Sequence, residues 1–178
     1  RIAENDSSLV ARIRNAGAIF IGKTNTPEFG LGSQSYNPIF GATGSAWNPE
    51  LTSGGSSGGA ASGLGTHMLP VADGSDMMGS LRNPGAFNNV IGFRPSVNVM
   101  STNNSGARAL STSGPMGRNV TDTIRFLQTI AVKEIAEQHN PMDLHDVRIA
   151  WLGDLNRYLA IESGILNLCE TSLSSLSS

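Results

Sequence analysis

Three side chains in this sequence are of the types that together perform nucleophilic chemistry. Lys23 stands in Ile21-Gly22-Lys23-Thr24-Asn25, Ser56 in Gly54-Gly55-Ser56-Ser57-Gly58-Gly59, and Ser80 in Asp76-Met77-Met78-Gly79-Ser80-Leu81-Arg82. The two serines are 24 residues apart, at positions 56 and 80. A serine hydroxyl is a weak nucleophile until a base takes its proton. A lysine and two hydroxyls can supply a base, a relay and a nucleophile. The chain's 21 glycines cluster around the two serines. Glycine there allows positive φ and lets another molecule approach the main chain closely.

Taken singly, each feature has a plainer reading. A lysine at a strand end is ordinarily a solvated charge, and serines between glycines are ordinarily turn residues. Gly54-x-Ser56-x-Gly58 also fits the nucleophile elbow of the α/β-hydrolases. That elbow needs a strand directly before it, and Asn48-Pro49-Glu50-Leu51-Thr52 makes a poor one. A phosphate loop is set aside because no Gly-Lys-Ser/Thr follows the glycines.

The elements that must hold these residues can be read in part. Ser7 to Asn15 predicts a helix with Leu9, Val10 and Ile13 on its apolar face, Arg12 and Arg14 on the polar side, Asp6 or Ser7 as cap and Gly17 as stop. Ala18-Ile19-Phe20-Ile21 predicts a short buried strand. That would place Lys23 at a strand's carboxy end, where α/β sheets commonly carry chemistry. Residues 25–52 read mostly as loop, with Phe40 and Trp47 packed on the core. Ala60 to Leu64 predicts a short helix behind the serine loop. Leu69 to Ala72 and Val90 to Phe93 are strand candidates, and Asn98 to Ser113 reads as irregular. Thr121 to Ala136 predicts the clearest helix, with Ile124, Leu127, Gln128 and Ala131 on one face. Val147 to Leu152 predicts a strand, and Glu162 to Leu173 a last helix carrying Cys169. The tail from Ser174 to Ser178 should fray. Alternation of helices with short strands argues an α/β fold.

The motifs resemble the amidase signature family of serine hydrolases. The likeness runs through Ala16-Gly17-Ala18, Gly22-Lys23-Thr24-Asn25, Asn48-Pro49, the Gly-Gly-Ser-Ser-Gly-Gly loop, Gly79-Ser80-Leu81-Arg82-Asn83-Pro84, Gly92-Phe93-Arg94-Pro95-Ser96 and Gly114-Pro115-Met116, in the family's order. It implies an α/β fold with a mixed β-sheet flanked by helices. It also implies a longer enzyme, so residues 1–178 are expected to be a partial amidase signature domain lacking an amino-terminal segment and the carboxy-terminal half.

The resemblance further implies an amidase that cleaves a carboxylic amide C–N bond through an acyl-serine intermediate. Its triad would be Ser80 as nucleophile, Ser56 as relay and Lys23 as base, with a cis peptide bond at Gly55–Ser56. An amide carbon is a poor electrophile, so the site also needs donors for the oxyanion. The backbone N–H groups of Met77, Met78, Gly79 and Ser80 are the candidates for that oxyanion hole. Ser57, Asp76 and Arg82 are read as scaffolding around the triad. Lys23 must be neutral part of the time, which requires burial to lower its pKa. Where the family usually carries glycine this chain has Met78, which could narrow the approach or alter φ.

Two other readings stay open. One is the glutamine-hydrolysing subunit of a tRNA-dependent amidotransferase, although those subunits carry Thr-Gly-Gly-Ser where this chain has Met77-Met78-Gly79-Ser80. The other is an inactive fragment of the same fold.

Composition narrows the remaining choices. With 12 basic and 14 acidic side chains the net charge is −2, which gives no reason to expect a nucleic acid or an anionic membrane as partner. One cysteine rules out an internal disulfide framework and a four-cysteine metal site. His67, His139 and His145 have no ligand spacing, and no metal or organic cofactor is expected. No apolar run approaches the roughly 20 residues that span a bilayer. The expected partner is a small-molecule amide, with a homo-oligomer left open, and the expected location is cytoplasmic.

Overall fold

Ser7 opens the first helix, α1 (Ser8–Asn15), by accepting a hydrogen bond from the Val10 N–H at 3.3 Å. A cap of this kind is worth about 1 kcal/mol. The computed structural model describes residues 3–96, 98–100, 110–136 and 147–174. The chain divides into two units, residues 1–135 and 136–178.

In the first unit, α1 buries Ile13 with Met100, Leu127 and Ile130. Arg12, expected on the polar side, is half-buried instead. Its Nε donates to the Ile130 carbonyl at 2.7 Å and its Nη2 to the Met100 carbonyl at 3.2 Å, tying α1 to the end of α4 (Val120–Ile130). The stem of an arginine can cover apolar surface while its head satisfies otherwise open carbonyls.

The α/β class expected from the sequence is the one observed. A hairpin pairs β1 (Tyr36–Asn37) with β2 (Gly41–Ala42). A three-stranded antiparallel sheet has the order β3-β5-β4, formed by β3 (Val71–Asp76), β4 (Ile91–Gly92) and β5 (Thr112–Gly117). Helix α2 (Gly58–Gly65) lays Ala60, Ala61 and Leu64 against Leu81 and Met116, all fully buried. Each large side chain buried there contributes about 1.5–3 kcal/mol relative to exposure.

The β1–β2 hairpin lies in a stretch read mostly as loop, and α3 (Arg82–Asn88) and β5 also escaped the sequence reading. Helix α3 contains Pro84 and Gly85, which argue against a helix, yet Pro84 sits in its first turn, where no N–H is needed. Strand β5 is central although it contains Pro115. In an antiparallel ladder a residue's N–H and C=O point to the same neighbour. Pro115 accepts from Phe93 N–H at 3.1 Å but cannot donate back, and β4 ends there.

Other expectations are corrected. Residues 18–21 form no strand, and Ile19 and Ile21 are 87% and 72% exposed. Among the described residues no strand pairs with this run; the Arg14 guanidinium lies over the Phe20 ring, 4.9 Å from its centroid, while Ile19 and Ile21 stay in solvent. Phe40 and Trp47 are also exposed; the Trp47 indole N–H reaches the Asn88 carbonyl at 2.9 Å while its ring stays outside. Helix α4 stops at Ile130, because Ala131 turns extended and the Val132 N–H bonds the Val99 carbonyl at 2.8 Å. Its buried residues are Thr123, Leu127 and Ile130. Strand β3 starts two residues later than expected and runs on to Asp76. Residues 101–109 of the expected irregular segment, His139 and His145 lie outside the described residues.

In the second unit, residues 147–152 form no strand and are exposed. Helix α5 (Ile165–Ser174) buries no residue fully; Cys169 is half-buried. Of the tail, Ser174 closes α5, and residues 175–178 lie outside the described residues.

Candidate active site

The two serine loops are joined through Ser57. Its N–H donates to the Ser80 carbonyl at 3.2 Å. Its hydroxyl accepts from the Ser75 N–H at 3.2 Å and donates to the Ser75 carbonyl at 3.4 Å. Ser57 thus fixes the start of α2 to the end of β3, beside the loop that carries Ser80. Ser56 is buried one residue earlier, and the Gly55–Ser56 peptide bond is cis, as the resemblance implies.

Ser35 holds the other side of this loop, and the sequence reading missed it. Its buried hydroxyl donates to the Ser56 carbonyl at 3.1 Å and accepts from the Gly58 N–H at 2.9 Å. Ser35 lies in a serine- and glycine-rich loop with no spacing or pattern to mark it.

Asp76 is the anchor of the Ser80 loop. Its carboxylate is fully buried. Oδ1 accepts from Gly79 N–H at 2.8 Å, and Oδ2 from Leu81 N–H at 3.2 Å. Arg82 adds a two-pronged pair, Nε to Oδ2 and Nη2 to Oδ1, each at 3.0 Å. Asp76 and Arg82, both read from the sequence as scaffolding, thus form an ion pair. Burial pushes this carboxyl up. The Arg82 hydrogen bonds, the Gly79 and Leu81 N–H groups and the Arg82 charge outweigh it and hold the group well below the usual carboxylate range.

Of the four N–H groups considered for an oxyanion, that of Gly79 is committed to Asp76. Among the described residues nothing accepts from the N–H groups of Met77, Met78 or Ser80. Gly79 has φ +118, and a Cβ added there would lie 2.7 Å from the Asn83 side-chain amide. Met78 is 87% exposed and is not among the residues with positive φ. The backbone therefore demands glycine at 79 and not at 78, which explains how methionine is accommodated next to it.

Lys23 reaches this region by its neighbours. A Cβ added at Gly59, in the first turn of α2, would lie 2.5 Å from the Asn25 backbone and 3.0 Å from the Thr24 side chain. Asn25 is pinned in turn, its amide donating to the Gly41 carbonyl at 3.1 Å and to Thr43 Oγ1 at 3.0 Å. Lys23 itself is exposed, against the expected burial. Among the described residues no hydrogen bond joins the Lys23 ammonium, the Ser56 hydroxyl and the Ser80 hydroxyl. His67 is exposed with φ +63 and lies in a turn after α2.

Residues 1–157 match the family described as Amidase. One subunit of the glutamyl-tRNA(Gln) amidotransferase of Thermosynechococcus vestitus is 39% identical over 146 residues, covering 81% of this chain and 29% of that protein. The chain therefore spans less than a third of that relative. The structure of a 6-aminohexanoate cyclic dimer hydrolase is similar with a TM-score of 0.68 and 31% identity, over 83% of this chain and 30% of that one. The peptide amidase PAM, solved with the competitive inhibitor chymostatin, matches with a TM-score of 0.78 and 26% identity, over 97% of this chain and 39% of that one. Among the described residues no helix is long and apolar enough to cross a membrane.

Proposed function

This chain belongs to the amidase family, and from that premise we propose that the intact protein hydrolyses a carboxylic amide through an acyl-serine intermediate. The observation that carries the reading is the Ser57 N–H bond to the Ser80 carbonyl, which holds the two serine loops against each other.

In the proposed reaction neutral Lys23 takes a proton from the Ser56 hydroxyl as Ser56 takes one from Ser80. Ser80 Oγ then attacks the amide carbon. The uncommitted N–H groups of Met77, Met78 and Ser80 receive the oxyanion, the charge that develops in the transition state. The relay returns a proton to the departing amine, the C–N bond breaks and an ester on Ser80 remains. Water attacks that ester along the same path and frees the acid. For this Lys23 must leave its exposed position and lose solvent. The Thr24–Asn25 contact with Gly59 already holds its segment at the first turn of the serine helix.

The test is hydrolysis of a panel of simple aryl and alkyl amides by the intact protein. Ser80→Ala should abolish turnover. Lys23→Ala and Ser56→Ala should each slow acylation by orders of magnitude, since the relay acts as a unit. Unchanged hydrolysis in Ser80→Ala would refute the assignment.

The 39% identity to a component of an amidotransferase favours a second reading, in which the same residues free ammonia from glutamine for a partner protein. Met77-Met78 in place of Thr-Gly weighs against it. Ammonia release from glutamine, in preference to other amides, would decide for it.

A further inference from the structure

Asp76 is served by two arginines, and they are not equivalent. Arg82, the first residue of α3, has a side chain 56% exposed; that of Arg94, which follows β4, is 26% exposed. Arg94 Nη1 donates to Asp76 Oδ1 at 3.0 Å and also to the Asp76 main-chain carbonyl. Its Nη2 donates to the Leu110 carbonyl at 2.8 Å, on the segment entering β5. One guanidinium therefore holds the side chain and the main chain of Asp76 while bonding the neighbouring segment. The contacts run from the exit of β4 to the end of β3 and the approach to β5.

We infer that Arg94 is a positioning residue for the Ser80 loop, acting through Asp76. The inference rests on the reading of Ser80 as nucleophile. The Met77–Ser80 loop begins directly after Asp76, and Gly79 N–H takes its direction from Asp76 Oδ1. The two oxygens of Asp76 to which Arg94 Nη1 donates define both ends of the side chain's rotation about its own backbone. Without that pair the carboxylate keeps its Arg82 bonds but loses the link to its own main chain, and the amides of Gly79 and Leu81 shift with it. Arg82 cannot substitute, because it bonds only the carboxylate and is more screened by solvent. A planar fork suits the task, since its two terminal nitrogens serve separate acceptors at once, which a lysine's single nitrogen does poorly. Small errors in the placement of reacting groups carry large rate penalties.

The experiment uses the intact protein and a fluorophosphonate probe, with the maximal labelling rate and the half-saturating probe concentration measured separately. Arg94→Met should lower the maximal rate by roughly 100-fold, as for a misplaced reacting group, and leave half-saturation within about threefold. Arg94→Gln, which keeps one donor for Asp76, should fall between that variant and the parent and serves if Arg94→Met does not fold. A merely structural role would reduce the fraction of protein that labels, with an unchanged rate for the rest. That result, or a maximal rate within twofold of the parent in a folded variant, would overturn the inference. Ser80→Ala separates the two levels. If it still labels, the reading of the site fails; if it does not label and Arg94→Gln labels at the parent rate, only the role of Arg94 fails.

Discussion

The Ser57 N–H donates to the Ser80 carbonyl at 3.2 Å, while the Ser57 hydroxyl exchanges two hydrogen bonds with the Ser75 main chain. One residue thus sets the distance between the loop of Ser56 and the loop of Ser80. Ser57→Ala keeps the N–H and loses the other two bonds. The expected cost is about 1–2 kcal/mol of stability, together with a fall in kcat larger than the change in KM. Denaturant unfolding and steady-state kinetics on the intact protein check this, and a variant with parent kcat would count against the role given to Ser57.

Asp76 ties stability to pH with a definite sign. Its folded pKa lies below the unfolded value of about 3.9. The contribution is therefore complete above that value, through neutral pH, and is lost as the pH falls through the folded pKa. Asp76→Asn should cost about 3 kcal/mol at pH 7, at the low end for a broken buried pair because Arg82 is half-exposed. The gap between parent and variant should shrink only below about pH 4. Urea titrations from neutral to strongly acidic pH measure it, and a gap already closing near pH 6 would assign the effect to another group.

Positions 78 and 79 should respond oppositely to exchange of side chain and glycine. Gly79→Ala forces a Cβ at φ +118 and against Asn83, with an expected cost of about 1–3 kcal/mol. Met78→Gly removes an exposed side chain at an ordinary φ and should cost no more than about 1 kcal/mol. Unfolding midpoints for the pair decide it, and the reverse order would contradict the backbone assignment.

The two serine loops were more legible than the elements around them. The motifs around Ser56 and Ser80 located two loops that the fold does bring together, and Asp76 pairs with Arg82 as local chemistry suggests. Helix α1 could be read because its cap, apolar face and stop all lie within the residues from Ser7 to Gly17. What failed was whatever depends on a distant neighbour. The run from Ala18 to Ile21 has the composition of a buried strand, but composition cannot supply the strand to pair with it. Pro115 disguised β5, since its tolerance depends on where β4 ends. Ser35 and Arg94 reach the site across 21 and 18 residues of sequence to Ser56 and Asp76, and no periodicity marks such contacts.

The central claim is that Ser80 is the atom donor for the acyl bond, and site mapping of a covalent probe tests it most directly. The intact protein is treated with a fluorophosphonate, digested, and its peptides read by mass spectrometry. One phosphonyl group on Ser80, lost in Ser80→Ala and strongly slowed in Lys23→Ala, is the predicted result. A label on Ser56 or elsewhere, or undiminished labelling of Ser80→Ala, would contradict the account.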